Sequence, residues 1–265
     1  METVVGKTTC PFVINKSEGV AVVTFDRAPV NAFALSTYEA LSDLIEAIEA
    51  DDEIRVVVLT APESARCWCG GADLRDFVGM DPLKRKERYA VINGVIPRFY
   101  AMEKPVIASI TSRVIGIGVL LAAACDMRIA ASDAVFSCPE IDYGLVAGSS
   151  KLLNYLGLPE ALVREMTFTG RPITAQRMLA GGFLNEVVPR QDVLAVALTM
   201  AQDIAAKSMP ALRARKRAFV SHEALSWLDA YKLAQGFSAE LVALRDSGEG
   251  VNAFLEGRSA TVSDG

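Results

Sequence analysis

The sequence has little of the chemistry that metal sites, redox pairs and hydrolytic triads require. It contains a single histidine, His222, and five cysteines. Cys67 and Cys69 lack the C-x-x-C spacing of redox pairs, and the histidine follows them by about 150 residues, too far for a local zinc motif. No serine stands in a G-x-S-x-G segment. We therefore predict no metal site, no dithiol chemistry and no serine-type nucleophile.

The sequence also lacks long apolar runs and an excess of basic charge. No run of about 18 apolar residues occurs. Lysine and arginine number 27 against 32 acidic residues, for a net charge of −5. Nucleic acids and anionic membranes are bound by clustered basic charge, so neither partner is expected. No charged segment with an apolar core and cleavage site opens the chain, and we expect a cytoplasmic protein with reduced thiols.

Nucleotide-binding loops are also missing. There is no G-x-x-x-x-G-K-[ST] phosphate loop, and GIGVLL (116–121) has a leucine where a dinucleotide fingerprint has its third glycine. The basic run RARKR (213–217) is typical of a solvated helix face. These observations leave no bound nucleotide cofactor to predict.

What is present is a composition and a pattern typical of an α/β fold. Hydrophobic residues make up 51% of the chain, enough to bury a sizeable core. The first half alternates apolar runs with helical periodicity. Strands are predicted at VAVVTF (20–25), RVVVLTA (55–61) and KPVIASI (104–110). The first helix is predicted to begin with a capping box, because Ser36 and Glu39 have the required spacing.

Helical periodicity dominates after about residue 150. Apolar residues recur on one face within 192–207 and again within 225–245. Helices with such faces pack against a core or against another subunit.

Two glycine-bearing turns stand out in the first half. CWCGGADL (67–74) follows the second predicted strand, and GIGVLL follows the third. Glycine lets a ligand approach the main chain closely, and a helix N-terminus presents unpaired N–H groups. Two such turns directed at one oxygen would form an oxyanion hole, although spacing alone fits two purely structural turns equally well.

These stretches carry a family resemblance. CWCGGADLRDF resembles the F-x-x-G-A-D-[LI] segment of the enoyl-CoA hydratase/isomerase (crotonase) superfamily, and the segment from KPVIA to GLVAG (104–148) resembles its longest signature. The resemblance continues, in the family's order, through DRAPVNAF (26–33), TGRPITAQRMLAGGFLNEVVP (169–189) and EGVNAFLEGR (249–258). It covers nearly the whole chain.

The resemblance implies a fold and an assembly. Residues 1–195 would form a crotonase-like spiral of ββα units. Residues 196–265 would form a helical region that closes the site and builds a homotrimer, which in this family often pairs into a homohexamer.

The resemblance also implies an activity on acyl-CoA thioesters, with coenzyme A as part of the substrate and no permanently bound cofactor. The amides of Ala72 and Ile117 would stabilise an enolate oxygen, and Glu140 would be the catalytic carboxylate. Residues expected near the coenzyme A portion are Arg27, Gly71, Ala72, Asp73, Leu74 and Phe254.

One departure from the family pattern bears on the reaction. Hydratases of this family carry two glutamates, and Leu120 stands at the first position. Residues 117 and 120 share a helix face, so an apolar side chain is expected where the attacking water would be held. Double-bond migration needs only one base. The combination of Leu120 and Glu140 resembles the Δ3,Δ2-enoyl-CoA isomerases, and Gly148 replaces the acid of the dienoyl isomerases and hydroxyisobutyryl-CoA hydrolases.

Two other functions remain open at this point. One is a hydratase or related lyase whose second acid comes from elsewhere, with Asp142 and Asp76 as candidates. The other is an acyl-CoA binding protein that has kept the fold without turnover, suggested by the departures at Ile117 and Leu120.

Overall fold

A computed structural model describes residues 10–223 and 225–263. Its strands are β1 (Phe12–Ser17), β2 (Val20–Phe25), β3 (Val56–Thr60), β4 (Cys67–Cys69), β5 (Val106–Ile110), β6 (Arg113–Ile115), β7 (Met127–Ala131), β8 (Val135–Ser137), β9 (Ile173–Thr174) and β10 (Glu186–Val188). Its helices are α1 (Leu35–Ala50), α2 (Pro82–Ala101), α3 (Ile117–Ala123), α4 (Ser150–Tyr155), α5 (Glu160–Thr169), α6 (Ala175–Ala180), α7 (Val193–Ala205), α8 (Met209–His222), α9 (Trp227–Leu241) and α10 (Arg245–Glu256).

The strands form two sheets. The six-stranded sheet has the order β1-β2-β3-β5-β7-β10, and the four-stranded sheet has the order β4-β6-β8-β9. Successive strands alternate between the sheets: β3, β5 and β7 join the larger one, while β4, β6 and β8 join the smaller one. Helices α2 and α3 follow the second and third turns of this spiral. The chain therefore repeats a strand of each sheet and then a helix, as predicted for ββα units.

The larger sheet is buried on both faces at its centre, which explains the continuous apolar runs of its strands. Every residue of β3 and β5 is buried. The central pairings are parallel, and only β1 runs antiparallel to its neighbour. Parallel strands covered on both faces carry apolar residues on each side. The three strands predicted from the sequence are confirmed, at 20–25, 56–60 and 106–110.

The predicted capping box at Ser36 and Glu39 is wrong. Helix α1 begins at Leu35, and its N-cap is Ala34, whose side chain has no hydrogen-bonding atom. Asp76 caps this helix instead, because its Oδ2 accepts from the Leu35 amide at 3.0 Å. A cap provided by a residue 41 positions away leaves no local sequence signal.

The thiols of CWCGGADL lie in the core. The CWC segment is strand β4 itself, in the smaller sheet, and Cys67 and Cys69 are both buried and free. Burial raises the pKa of the Cys69 thiol to about 12, so this sulfur stays protonated and unreactive. In residues 10–223 and 225–263, no three His, Cys, Asp or Glu side chains come together as a metal site would require.

The C-terminal helices lie partly outside the core. The predicted boundary at 195/196 falls inside α7, which packs against β2, β3, β5 and β7 and so covers the larger sheet. Helix α9 has no buried residue, and Trp227 on it is 79% exposed. Among the described helices, none is long and apolar enough to cross a membrane. Assembly into a trimer stays a prediction.

Candidate active site

Three chain turns meet at one edge of the smaller sheet. Strands β4, β6 and β8 are neighbours and run parallel. Their carboxyl ends therefore lie side by side, and the turns after them are Gly70–Ala72, Gly116–Ile117 and 138–140. Ligands of α/β proteins commonly bind at such an edge. The pairing brings together residues separated by almost 70 positions.

The first turn is held by hydrogen bonds on both sides of Ala72. The Phe33 amide donates to the Gly71 carbonyl at 2.7 Å, and the Asp73 amide donates to the Phe33 carbonyl at 2.9 Å. Gly71 has φ of +90°, and a Cβ on Gly70 would clash with the Val30 carbonyl oxygen. No hydrogen bond from the Ala72 amide is found among the described residues. This amide is free to donate to a ligand.

The second turn starts helix α3. Gly116 has φ of +55° and ψ of −116°, and the helix begins at Ile117, whose amide has no acceptor within the helix. The Gly116 amide is fixed by donating to the Ser137 carbonyl at 2.8 Å. A Cβ placed on Gly116 would lie 3.8 Å from Gly71 Cα. The two glycine turns are thus in contact, with the amides of Ala72 and Ile117 one residue beyond each.

Glu140 lies against the second turn. It belongs to a 3-10 segment, Pro139–Tyr143, that follows β8. Its Oε1 would be 2.7 Å from a Cβ on Gly116, and its Oε2 is buried without a hydrogen-bond partner among the described residues. Burial raises the pKa of this carboxyl. A carboxylate with a raised pKa and one unpaired oxygen is a candidate for proton transfer.

The turns open into a cavity of about 390 Å³. Its wall contains Gly71, Ala72, Gly116, Ile117, Leu120, Glu140, Tyr38, Leu74, Phe77, Arg85, Arg88, Tyr89, Ile92, Asn93, Tyr143, Leu145 and Val146. Glu140 is the one carboxylate among the described lining residues, and most of the remaining wall is apolar. The wall thus combines free amides, one acid and an apolar surface.

The other two carboxylates considered from the sequence lie outside this wall. Asp76 forms an ion pair with Arg88, at 2.6 Å between Oδ2 and Nη1, in addition to capping α1. Asp142 points toward Gly170, where a Cβ would meet its Oδ2 at 2.9 Å. Neither carboxylate is placed to face Glu140 across the cavity.

The residues expected near coenzyme A divide into three groups. Gly71, Ala72 and Leu74 line the cavity, as expected of a ligand site. Phe254, on α10, is 84% exposed and does not line the cavity of the described chain. Arg27 and Asp73 also lie outside its wall and form an ion pair with each other.

Arg27 and Asp73 brace the first turn. Arg27 donates to Asp73 Oδ2 at 2.9 Å and to the Ala32 carbonyl at 2.8 Å. Arg75 donates to the same carboxylate from Nε and Nη2. The guanidinium groups of Arg75 and Arg27 hold the pKa of Asp73 well below its usual range. Asp73 is buried next to Ala72, so this ion pair fixes the backbone of the turn.

Sequence reasoning missed the polar wall that α2 contributes. Arg85, Arg88 and Tyr89 line the cavity, at positions i, i+3 and i+4 of one helix face. The helix that carries them is α2, Pro82–Ala101. The i, i+3 spacing of the two arginines could have indicated that both line a site. The same spacing is common on solvent-exposed helix faces, so it did not distinguish the two cases.

Comparisons with known proteins agree with this geometry. The family model described as enoyl-CoA hydratase/isomerase matches residues 15–264. The chain belongs to this family. A Bacillus subtilis protein named "Probable enoyl-CoA hydratase" is 30% identical, over 90% of this chain and 93% of the relative. The 2,3-dehydroadipyl-CoA hydratase of Escherichia coli is 30% identical, over 93% of this chain and 96% of the relative.

A solved structure agrees as well. The crystal structure of an enoyl-CoA hydratase from Bacillus anthracis has a TM-score of 0.89 and 26% identity, with 96% of this chain and all of that one covered. The fold is the crotonase fold predicted from the sequence, and the protein is an enzyme of that superfamily.

Proposed function

We propose that this enzyme moves the double bond of a 3-enoyl-CoA thioester to the 2-position, with Glu140 as the proton carrier. The observation that carries the proposal is that Glu140 is the one carboxylate among the described residues of the cavity wall, with Leu120 in the same wall. One base is sufficient for double-bond migration, whereas addition of water also needs a group to activate the water.

The thioester carbonyl accepts hydrogen bonds from the amides of Ala72 and Ile117. Glu140 removes a proton from C2, and the electron pair of that C–H bond forms a dienolate whose charge rests on the thioester oxygen. A donor to such an oxygen lowers the barrier by about 3 kcal/mol. Glu140 then returns the proton to C4, the double bond settles between C2 and C3, and the carboxylate is regenerated.

The environment of Glu140 suits this exchange. Its raised pKa makes the carboxylate a stronger base than an exposed glutamate. Its Oε2 has no partner among the described residues, so uptake of a proton at this oxygen breaks no hydrogen bond that the structure describes. The apolar side chains of Ile117 and Leu120 keep water away from the dienolate.

The test compares Glu140→Gln with Asp142→Asn. Both change a carboxylate to an amide on the same 3-10 segment, but only Glu140 lines the cavity. The assay follows the absorbance of the conjugated thioester as 3-enoyl-CoA is converted. We expect Glu140→Gln to lower kcat by about 10²- to 10⁴-fold, and Asp142→Asn to leave it near that of the wild type. Undiminished turnover by Glu140→Gln would refute the proposal.

Hydration is the second candidate function, supported by the names of the relatives. Crotonyl-CoA in isotopically labelled water separates the two reactions, because only a hydratase transfers the labelled oxygen to the product. Leu120→Glu restores an acid at the position where hydratases carry one. We expect the wild type to give no hydroxyacyl product and Leu120→Glu to acquire some hydration.

A further inference from the structure

The wall that α2 contributes is positively charged, in a cavity whose wall is mostly apolar. Arg85, Arg88 and Tyr89 lie on one face of the helix and line the cavity that contains Glu140. The methylene groups of an acyl chain need only apolar neighbours such as Ile92 and Leu145. Two guanidinium groups therefore exceed what an unsubstituted enoyl chain requires.

Arg88 is buried and has one unsatisfied donor. Its side chain is 3% exposed, and Nη1 and Nη2 donate to Asp76 and to the Phe33 carbonyl. Its guanidinium lies over the ring of Phe77 at 5.0 Å. The Nε atom is buried and has no partner among the described residues. Buried donors without an acceptor are rare in folded proteins, and one explanation is an acceptor that comes from a bound molecule.

Arg85 carries a charge that no neighbouring acid balances. No carboxylate within 4 Å pairs with it in the described chain, and the one hydrogen bond of its side chain there goes to the Tyr89 hydroxyl at 3.3 Å. It is partly buried over the ring of Phe77, at 4.8 Å from the centroid. Asp76 neutralises the charge of Arg88. The positive charge of Arg85 is not neutralised in this way, and it can attract an anion to the cavity wall.

We infer that the acyl chain of the substrate carries a second carboxylate, so that the substrate class is mono-CoA thioesters of unsaturated dicarboxylic acids. The distal carboxylate accepts from Arg85 and from Arg88 Nε, while the thioester lies at Ala72 and Ile117. This inference rests on the proposed function for the placement of the thioester. Guanidinium groups bind carboxylates in two-point geometry, which gives both orientation and strength.

Coenzyme A itself offers anionic oxygens, but its phosphates are less suited to this position. The pantetheine arm separates them from the thioester, and Arg85 shares one cavity of about 390 Å³ with Glu140 and the two glycine turns. The distal end of an acyl group can lie within a cavity of that size. Loss of a phosphate contact would weaken the binding of every CoA ester equally, so the two sources can be separated by experiment.

The test measures binding without requiring turnover. Two saturated acyl-CoA thioesters of equal chain length, one ending in a methyl group and the other in a carboxylate, are titrated calorimetrically into the wild type, Arg85→Gln and Lys86→Gln. Lys86 is the exposed neighbour of Arg85 and does not line the cavity, so its variant controls for the loss of one positive charge. Free coenzyme A is titrated in parallel.

We expect the wild type to bind the carboxylate-ended ester at least 10-fold more tightly than the methyl-ended one. Arg85→Gln should remove most of that preference and leave the methyl-ended ester and free coenzyme A unchanged, and Lys86→Gln should keep it. Equal affinity of the wild type for both esters would overturn the inference. Equal weakening of both esters and of free coenzyme A by Arg85→Gln would also overturn it, because it would assign Arg85 to a phosphate.

A kinetic assay of the 3-enoyl forms of the same two esters separates this inference from the proposed function. A preference for the carboxylate-ended ester in binding, combined with no isomerisation of either 3-enoyl form, would refute the isomerase proposal and leave the substrate class standing. Isomerisation of both forms at equal kcat/KM would support the isomerase proposal and refute the inferred substrate class. Arg88→Gln, which risks the fold because Arg88 is buried, is not needed for either outcome.

Discussion

Replacing Gly116 by alanine should affect both the stability of the protein and the position of Glu140. Its φ of +55° and ψ of −116° lie in a region that side chains rarely adopt. The added methyl group would meet Glu140 Oε1 at 2.7 Å. The carboxylate would have to retreat by about 0.7 Å, the difference from the 3.4 Å at which ordinary contacts begin. The variant therefore changes the backbone energy and the position of the acid together.

The backbone conformation should cost about 1–3 kcal/mol in the free energy of unfolding. The displaced acid should lower kcat by about 10²-fold, because misplacement by about 1 Å costs that much in a positioned reaction. Denaturant unfolding and steady-state isomerisation of 3-enoyl-CoA measure the two effects. We expect KM to change little, since the cavity wall is otherwise unaltered.

Gly144→Ala is the matched control. Gly144 has φ of +67° and ψ of +27°, and a Cβ there meets nothing within 4 Å. It should lose about 1–2 kcal/mol of stability from the left-handed backbone and keep its kcat. An equal loss of kcat in both variants would refute the reasoning, because strain alone would then account for the effect. A normal kcat in Gly116→Ala would show that the position of the carboxylate is not critical.

Three further predictions follow from the charges at the site. The kcat/KM of the wild type should rise with pH through an apparent pKa above the usual range of glutamate, because burial raises the pKa of Glu140; Glu140→Gln should lack this limb of the pH profile. At neutral pH, the free energy of unfolding of Glu140→Gln should exceed that of the wild type by about 1 kcal/mol, because the variant buries no charge. Its melting temperature should be higher accordingly. This difference in stability should disappear as the pH falls below the ordinary pKa of glutamate, because Glu140 is then protonated in both the folded and the unfolded protein. A difference that did not depend on pH would show that the charge of Glu140 is not its cause. Asp73→Asn should cost about 3 kcal/mol at neutral pH, because it leaves the buried pair with Arg27 broken, and calorimetry should show the loss shrinking as the pH falls below the usual range of aspartate.

The alternation of strands and helices was predictable because strands and helices differ in the spacing of their apolar residues along the sequence. The strands at 20–25, 56–60 and 106–110 are predominantly apolar, and local patterns are sufficient to predict them. The resemblance also indicated Ala72, Ile117 and Glu140, and the structure brings them to one edge of the smaller sheet. Their order along the chain did not reveal that β4, β6 and β8 are adjacent parallel strands. Strand order depends on pairing over long distances, which no local pattern records.

The sequence by itself determined the fold class, the family, and the replacement of the first glutamate by Leu120. Only the tertiary structure decided how the charged side chains are used. Asp76 caps α1 and pairs with Arg88, and Asp73 is held by Arg27. Arg85 has no acid within 4 Å in the part of the chain that the structure describes. The physical reason is that a charge is neutralised by whichever group lies within about 4 Å, and residues that close in space can be far apart in the chain. Glu140 illustrates the same point, because its pKa is raised by burial, and burial exists only in the folded chain.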